Sequence, residues 1–412
     1  MEKRRVVVTG IGTVNPTGND VKKSWEAVKA GRHGIGKISR FDVSDFPVSL
    51  AGEVKDFDFA EKFGRKEART TDLFAQYAVY AADEAISMSG LALSKENPEE
   101  RAGVIISSGI GGIGLTESEH DRGLEKGFDR INPHYIPETI ANSAAALIAI
   151  RYGLKGMCTC PVTACAGGSN AIGDAFFRIR FGYEDVMICG GTEGAISPIA
   201  LGGFVSMRAL HTGDDPDRAS IPFDLERSGF VMGEGAGVLV LEEESHARKR
   251  GAKILAELVG YGANCDAYHM TAPSPDGEGG ARCMELALED AGIRPGDIDY
   301  INAHGTSTKL NDAGETAAIK KVFSSHAKEL AVSSTKSMTG HLLGGAGGVE
   351  AVFSVLSLME GFIPPTAGYR VADPECDLDY VPNKGRSAEL RYVLSNSLGF
   401  GGHNACLIFK KA

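Results

Sequence analysis

The chain has 412 residues, with 43 Lys and Arg against 54 Asp and Glu and a formal net charge of −11. Apolar residues make up 43% and charged residues 24%, which excludes a disordered chain, and the acidic balance argues against general nucleic-acid binding. Glycine, at 53 residues, runs near twice the usual fraction of ~7% and recurs in pairs, a sign of tight turns and close backbone approaches.

The N-terminus, Met-Glu-Lys-Arg-Arg, passes into only three valines, short of the ~7–15 apolar residues of an export signal. A strand is predicted at residues 5–9. Leu73, Phe74, Tyr77, Ala78, Ala81, Ala82 and Ala85 lie on one stripe of a helix over residues 71–89. Further strands are predicted at 103–107, 185–189, 237–241, 300–302, 330–333 and 405–409, and alternation with helical patterns marks an α/β protein. The longest apolar stretch, 144–150, is far short of the ~20 residues of a membrane span. Helices over 167–181 and 345–359 carry small or apolar residues on nearly every face, as helices in the centre of a large protein do. In one half a strand-like Pro161-Val162-Thr163 leads through Cys165 into the first of these helices. In the other, Val332-Ser333-Ser334 leads through Lys336 and His341 into the second. Each half then repeats strand, glycine turn, strand. This duplication divides near 249–253, into 1–250 and 251–412. Eight cysteines without CxxC pairs or a zinc-type grouping imply a reduced, cytoplasmic compartment and no metal site.

Cys165 stands on a glycine-rich turn at the head of a helix, where the positive end of the helix dipole favours the thiolate. The same local sequence also fits a buried structural cysteine. His304 follows a strand in Asn-Ala-His-Gly-Thr-Ser-Thr, at the strand end where α/β proteins place their sites. Lys336, His341 and Glu350 are polar residues in an apolar stretch, and a buried Lys336–Glu350 pair is expected. Phe400 lies between glycines in a loop whose N–H groups can bind an oxyanion. One Cys and two His suffice for thioester chemistry without a cofactor: the thiolate accepts an acyl group and two imidazoles stabilise an enolate. A Cys–His hydrolase remains a second reading, which leaves His341 and Lys336 without a role.

These residues bring a family into view. Arg5-Val-Val-Val-Thr-Gly, Ser108-Gly-Ile-Gly-Gly, Thr163-Ala-Cys, Asn302-Ala-His-Gly-Thr-Ser-Thr, Ser334-Thr-Lys-Ser-Met-Thr-Gly-His and Gly399-Phe-Gly-Gly occur in order along the whole chain. The sequence resembles the β-ketoacyl-[acyl-carrier-protein] synthases of type II fatty-acid synthesis, most closely their synthase II members. The resemblance implies a thiolase-like fold, two duplicated α/β halves in a five-layer α-β-α-β-α arrangement, normally a homodimer. It implies a ping-pong decarboxylative Claisen condensation, with Cys165 as nucleophile, the Cys165 and Phe400 N–H groups as oxyanion hole and His304 and His341 stabilising the enolate. Lys336 would tune both histidines and Phe400 would gate the second substrate. Thr306, Thr308 and Gly401 fall at substrate-binding positions, the threonines on the pantetheine arm, and Ile110 falls where acyl-chain length is tuned.

For an acidic acyl-carrier protein the resemblance implies docking on Arg65, Lys66, Arg69, Arg130 and Arg208, with Thr70 where some relatives have Lys. Read alone, these residues are a solvated charge cluster. Leu398 stands where some members have a second Phe, His403 replaces a common Thr, and Ala166-Gly167 replaces a hydroxyl pair. Cys165 argues against an inactive chain-length-factor-like partner, and His341 against the Cys-His-Asn subgroup. A ketosynthase of a specialised polyketide or lipid pathway shares all of these residues.

Overall fold

The computed structural model describes residues 3–412, so Met1 and Glu2 of the stretch weighed as an export signal lie outside it. Its largest sheet has ten strands: β1 (Val6–Val14), β2 (Ala102–Ser107), β3 (Cys158–Thr159), β4 (Val186–Glu193), β5 (Gly235–Glu243), β6 (Ala256–Cys265), β7 (Tyr300–Asn302), β8 (Ala331–Ser333), β9 (Tyr392–Gly399) and β10 (His403–Lys411). Their order is β3-β2-β4-β5-β1-β6-β10-β9-β7-β8. Each half therefore runs first–fifth–fourth–second–third outward from the middle, and the two join where β1 pairs antiparallel with β6. The pairing senses repeat as well: β1–β5 and β6–β10 are antiparallel, while β2–β3 and β7–β8 are parallel. The duplication expected from sequence is thus a duplication of topology.

It extends to single glycines. The helix α1 (Leu73–Ser89) packs on β1 and α3 (Glu278–Ala291) packs on β6. A Cβ on Gly10 or Gly12 would lie 2.0 Å from a carbonyl oxygen of α1, Ala85 or Ala81. On Gly260 or Gly262 it would lie 2.4 or 2.2 Å from Ala287 or Cys283 of α3. These glycines are strand residues that admit a helix, so β1 runs on to Val14 where the sequence pattern stopped at Thr9. β6 and β9 were missing from the expected strands, β6 for its glycines and β9 because its inner positions include the buried polar run Ser395-Asn396-Ser397. Residues 161–163 form no strand; the edge strand of that half is Cys158–Thr159.

Between the halves lie α2 (Gly167–Arg180) and, after α4 (Lys309–Phe323), α5 (Ala346–Glu360). Both touch strands of both halves, and their shared core is flanked by one apolar cluster under α1 and another under α3 and α4. That is a five-layer arrangement. The helices meet through glycine: a Cβ on Gly168 would lie 2.6 Å from the Gly348 nitrogen. The stretch Leu343–Glu360 is long and apolar enough to span a bilayer, although its polar interruptions made 144–150 the longest run in the sequence, and it is buried at the centre.

Candidate active site

The site gathers at the carboxyl ends of the strands of both halves, where open α/β sheets place their ligands. Cys165 lies on the turn Ala164–Ala166 ahead of α2, with Ala164 at φ +48°, a left-handed conformation an alanine adopts only when its surroundings impose it. Lys336 and His341 occupy the corresponding place in the second half, after β8. His304 follows β7, and Phe400 follows β9 on the turn Phe400–Gly402. Gly399 brings that turn onto the nucleophile, since a Cβ there would lie 2.9 Å from the Thr163 oxygen and 3.1 Å from the Cys165 nitrogen.

Cys165, His304, His341 and Phe400 line one cavity of about 540 Å³, together with Thr306, Thr308, Arg208 and Leu398. Burial pushes the Cys165 thiol up to about 12, while the Lys336 charge and the Phe400 backbone N–H draw it down. Desolvation outweighs the helix dipole, so the resting group is the thiol and the expected preference for the thiolate is corrected. The proton must leave as the sulfur attacks.

Two imidazoles line the same cavity. Burial first, then the Lys336 charge, holds His304 and His341 well below the usual imidazole range, so both are neutral at pH 7. The rings lie 5.3 Å apart, edge to face at 86°. Lys336 sits beneath them at 1% exposure. Its ammonium donates to the His304 carbonyl at 2.7 Å, to His304 Nδ1 at 3.3 Å, and to Glu350. An ammonium has no acceptor, so His304 Nδ1 is the acceptor and Nε2 carries the ring proton. The Leu343 N–H donates to His341 Nδ1 at 3.3 Å and fixes the same tautomer there. Each ring therefore offers one N–H donor.

Sequence reasoning missed the supports. Glu315 of α4 accepts the N–H groups of His304 and Gly305, both at 2.8 Å, and Asp312 accepts that of Thr306 at 3.0 Å. Two acids in the opening turns of the helix after a His-Gly-Thr loop were a readable signal. Phe230 packs edge-on against His341, ring centroids 5.3 Å apart. Thr306 and Thr308 share a hydrogen bond of 2.9 Å. Burial pushes Glu350 up to about 7 against the pull of Lys336, and its Oε2, Ser395 Oγ and both amide atoms of Asn302 are buried without a protein partner. An oxygen-rich set of this kind suits water or a hard cation rather than a transition metal. Among the described residues, no cluster of three or more His, Cys, Asp or Glu has metal-binding geometry.

Other expected site residues lie elsewhere. Ile110 is exposed on the loop after β2, off the cavity wall, and Gly401 lies behind it at φ +83° while Gly399, Phe400 and Gly402 face in. Arg65 and Lys66 lie on the short helix Arg65–Ala68, Arg69 caps it and Arg130 ends a turn, all exposed; of the basic set only Arg208 reaches the cavity.

The profile of the Beta-ketoacyl synthase, N-terminal domain, matches residues 3–247, and that of the Beta-ketoacyl synthase, C-terminal domain, matches residues 255–370. The chain belongs to the β-ketoacyl synthase family. Among its relatives, 3-oxoacyl-[acyl-carrier-protein] synthase 2 of Synechocystis sp. is 53% identical over 412 residues, covering 100% of this chain and 99% of that one. The protein of the same name from Staphylococcus aureus is 51% identical, with 100% and 99% covered. A β-ketoacyl synthase from Burkholderia phymatum superposes with a TM-score of 0.92 at 36% identity, covering 99% of this chain and 100% of that one. A ketosynthase bound to a hexaketide, in complex with its type II polyketide acyl-carrier protein, superposes with a TM-score of 0.91 at 36% identity, with both chains covered completely. This synthase thus combines the family fold with Cys165, His304 and His341 on the wall of one cavity.

Proposed function

We propose that the chain is a 3-oxoacyl-[acyl-carrier-protein] synthase that lengthens fatty acyl chains by two carbons. One observation carries the reading: two neutral imidazoles with fixed Nε2–H donors line one cavity with Cys165 and Phe400. A Cys–His hydrolase has no use for the second donor or for Lys336.

The Cys165 sulfur attacks the acyl thioester, its proton passes to the departing carrier thiol, and the Cys165 and Phe400 N–H groups hold the oxyanion. Malonyl thioester then enters past Phe400, its arm along Thr306 and Thr308. Its carboxylate leaves as carbon dioxide, and the released electron pair moves onto the thioester oxygen, an enolate held by the Nε2–H groups of His304 and His341. The enolate carbon attacks the acyl-Cys165 carbonyl, the carbon–sulfur bond breaks, and the departing sulfur takes up a proton from solvent. Lys336 keeps both imidazoles neutral and holds His304 in the donor tautomer, as the Leu343 N–H holds His341. Without that control one ring would present an acceptor to the enolate oxygen.

Acyl-carrier protein is the proposed partner, docking on Arg65, Lys66, Arg69, Arg130 and Arg208, with acyl-chain length set near Ile110 and Gly401 shaping the gate loop. We read the assembly as a homodimer: β3 is an open sheet edge, and Ile110, Met157 and Val162 beside it are exposed. The eight free cysteines support a cytoplasmic location, and we divide the halves at residues 250 and 251. Identity of 51–53% to proteins named 3-oxoacyl-[acyl-carrier-protein] synthase 2, against 36% to the polyketide ketosynthase, favours primary fatty-acid synthesis over a specialised pathway.

Intact-protein mass spectrometry with acyl-carrier proteins of graded chain length tests the reading. An acyl mass appears on the wild type and not on Cys165→Ala. An adduct on both, or on neither, overturns it.

A further inference from the structure

Glu193, the last residue of β4, is completely buried and takes no part in the chemistry above. Its carboxylate accepts four hydrogen bonds from two separate segments. Ser108 Oγ at 2.9 Å, the Gly109 N–H at 2.8 Å and the Ile110 N–H at 3.3 Å come from the loop after β2. The Gly344 N–H at 3.0 Å comes from the turn Leu343–Gly345 of the other half. That turn also supplies the Leu343 N–H that fixes the His341 tautomer, and it holds Leu343 at φ +48°. The two segments touch through backbone: a Cβ on Gly344 would lie 2.4 Å from the Gly109 nitrogen, and one on Gly109 would lie 2.7 Å from the Glu193 carboxylate. Nothing can be inserted between them.

We propose that Glu193 is a positioning residue that ties the loop carrying Ile110 to the turn that orients His341, so that acyl-chain selection and malonyl decarboxylation share one support. The inference rests on the synthase reading above. Four donors require four acceptor lone pairs, which a carboxylate supplies and an amide does not. Glu193→Gln removes the negative charge that strengthens all four bonds and turns an NH₂ toward at least one N–H, so the support of both segments is weakened. Ser108→Ala removes a donor from the acyl side alone, along with the acceptor of the Gly111 N–H at 3.0 Å, and leaves Gly344 in place.

The experiment measures three quantities on wild type, Glu193→Gln and Ser108→Ala: acyl mass added to Cys165 for each chain length, carbon dioxide released from malonyl-carrier protein, and the circular-dichroism melting curve. Glu193→Gln is expected to release carbon dioxide at least about tenfold more slowly and to accept a changed range of chain lengths, while its total acylation falls less than about threefold. Ser108→Ala is expected to change the chain-length range and keep wild-type decarboxylation. Wild-type values for both activities in Glu193→Gln overturn the proposal, as does a parallel fall of acylation and decarboxylation in a variant that melts like the wild type. If Glu193→Gln does not fold, Ser108→Ala decides: an unchanged chain-length range, or slowed decarboxylation, overturns the proposal. A wild type that neither acylates nor decarboxylates refutes the synthase reading instead.

Discussion

Lys336 uses all three of its protons, on Glu350, on the His304 carbonyl and on His304 Nδ1, inside a site with almost no exposure. Removing one member of such a pair leaves the other charge buried, at a cost of about 3–5 kcal/mol, whereas replacing both is often close to neutral. Lys336→Met is therefore expected to lower the unfolding free energy by about 3 kcal/mol or more, less whatever Glu350 recovers by taking a proton. The double variant Lys336→Met/Glu350→Gln should regain most of that stability and none of the decarboxylation, because His304 Nδ1 still lacks its donor. Denaturant titration and carbon dioxide release separate the two effects. A double variant that recovers activity along with stability would show that Lys336 acts only through packing.

Glycine decides much at the level of strands and helices, and for two opposite reasons. A Cβ on Gly348 of α5 would lie 2.3 Å from the Gly237 oxygen and 2.7 Å from the Gly191 nitrogen, both backbone atoms that cannot turn aside. A Cβ on Gly314, inside α4, would meet nothing within 4 Å. Gly348→Ala is thus expected to destabilise by at least about 2 kcal/mol despite its better helix propensity. Gly314→Ala should stabilise by up to about 1 kcal/mol. Urea midpoints of the two variants should move in opposite directions; equal shifts would refute the packing argument. The same glycines explain what was legible. Residues 300–302 were readable as a strand, and the two central helices were readable from their small residues, because each pattern is local. β6 was not, because Gly260 and Gly262 look like breakers until α3 is laid against them. Cys165, His304, His341 and the Lys336–Glu350 pair stood out as reactive or charged groups in apolar surroundings. Glu193, Glu315 and Asp312 did not, since their partners are backbone N–H groups brought close only by the fold. The thiolate expectation failed for a similar reason: the helix dipole is visible in sequence and full burial is not.

The whole molecule carries a net charge of −11 yet keeps a basic group beside the first half, where Glu67, the acid within Arg65–Ala68, pairs with Arg151 and leaves Arg65, Lys66 and Arg69 exposed. Against an overall negative field, a local positive patch orients an acidic partner by attracting it at one place and repelling it elsewhere. Arg208 is a separate basic residue on the cavity wall. Arg65→Glu/Arg69→Glu is expected to raise KM for carrier-linked substrates at least about tenfold at low ionic strength with kcat unchanged. The deficit should shrink as added salt brings the Debye length to ~10 Å and below, because these side chains are exposed. Turnover of a short thioester lacking the carrier should not change, since the cavity lies apart from these two residues. Steady-state kinetics with both substrates across a salt series separates docking from chemistry. An unchanged KM for the carrier-linked substrate removes the patch from the docking surface, and an equal loss with both substrates assigns the defect to the fold rather than to the encounter.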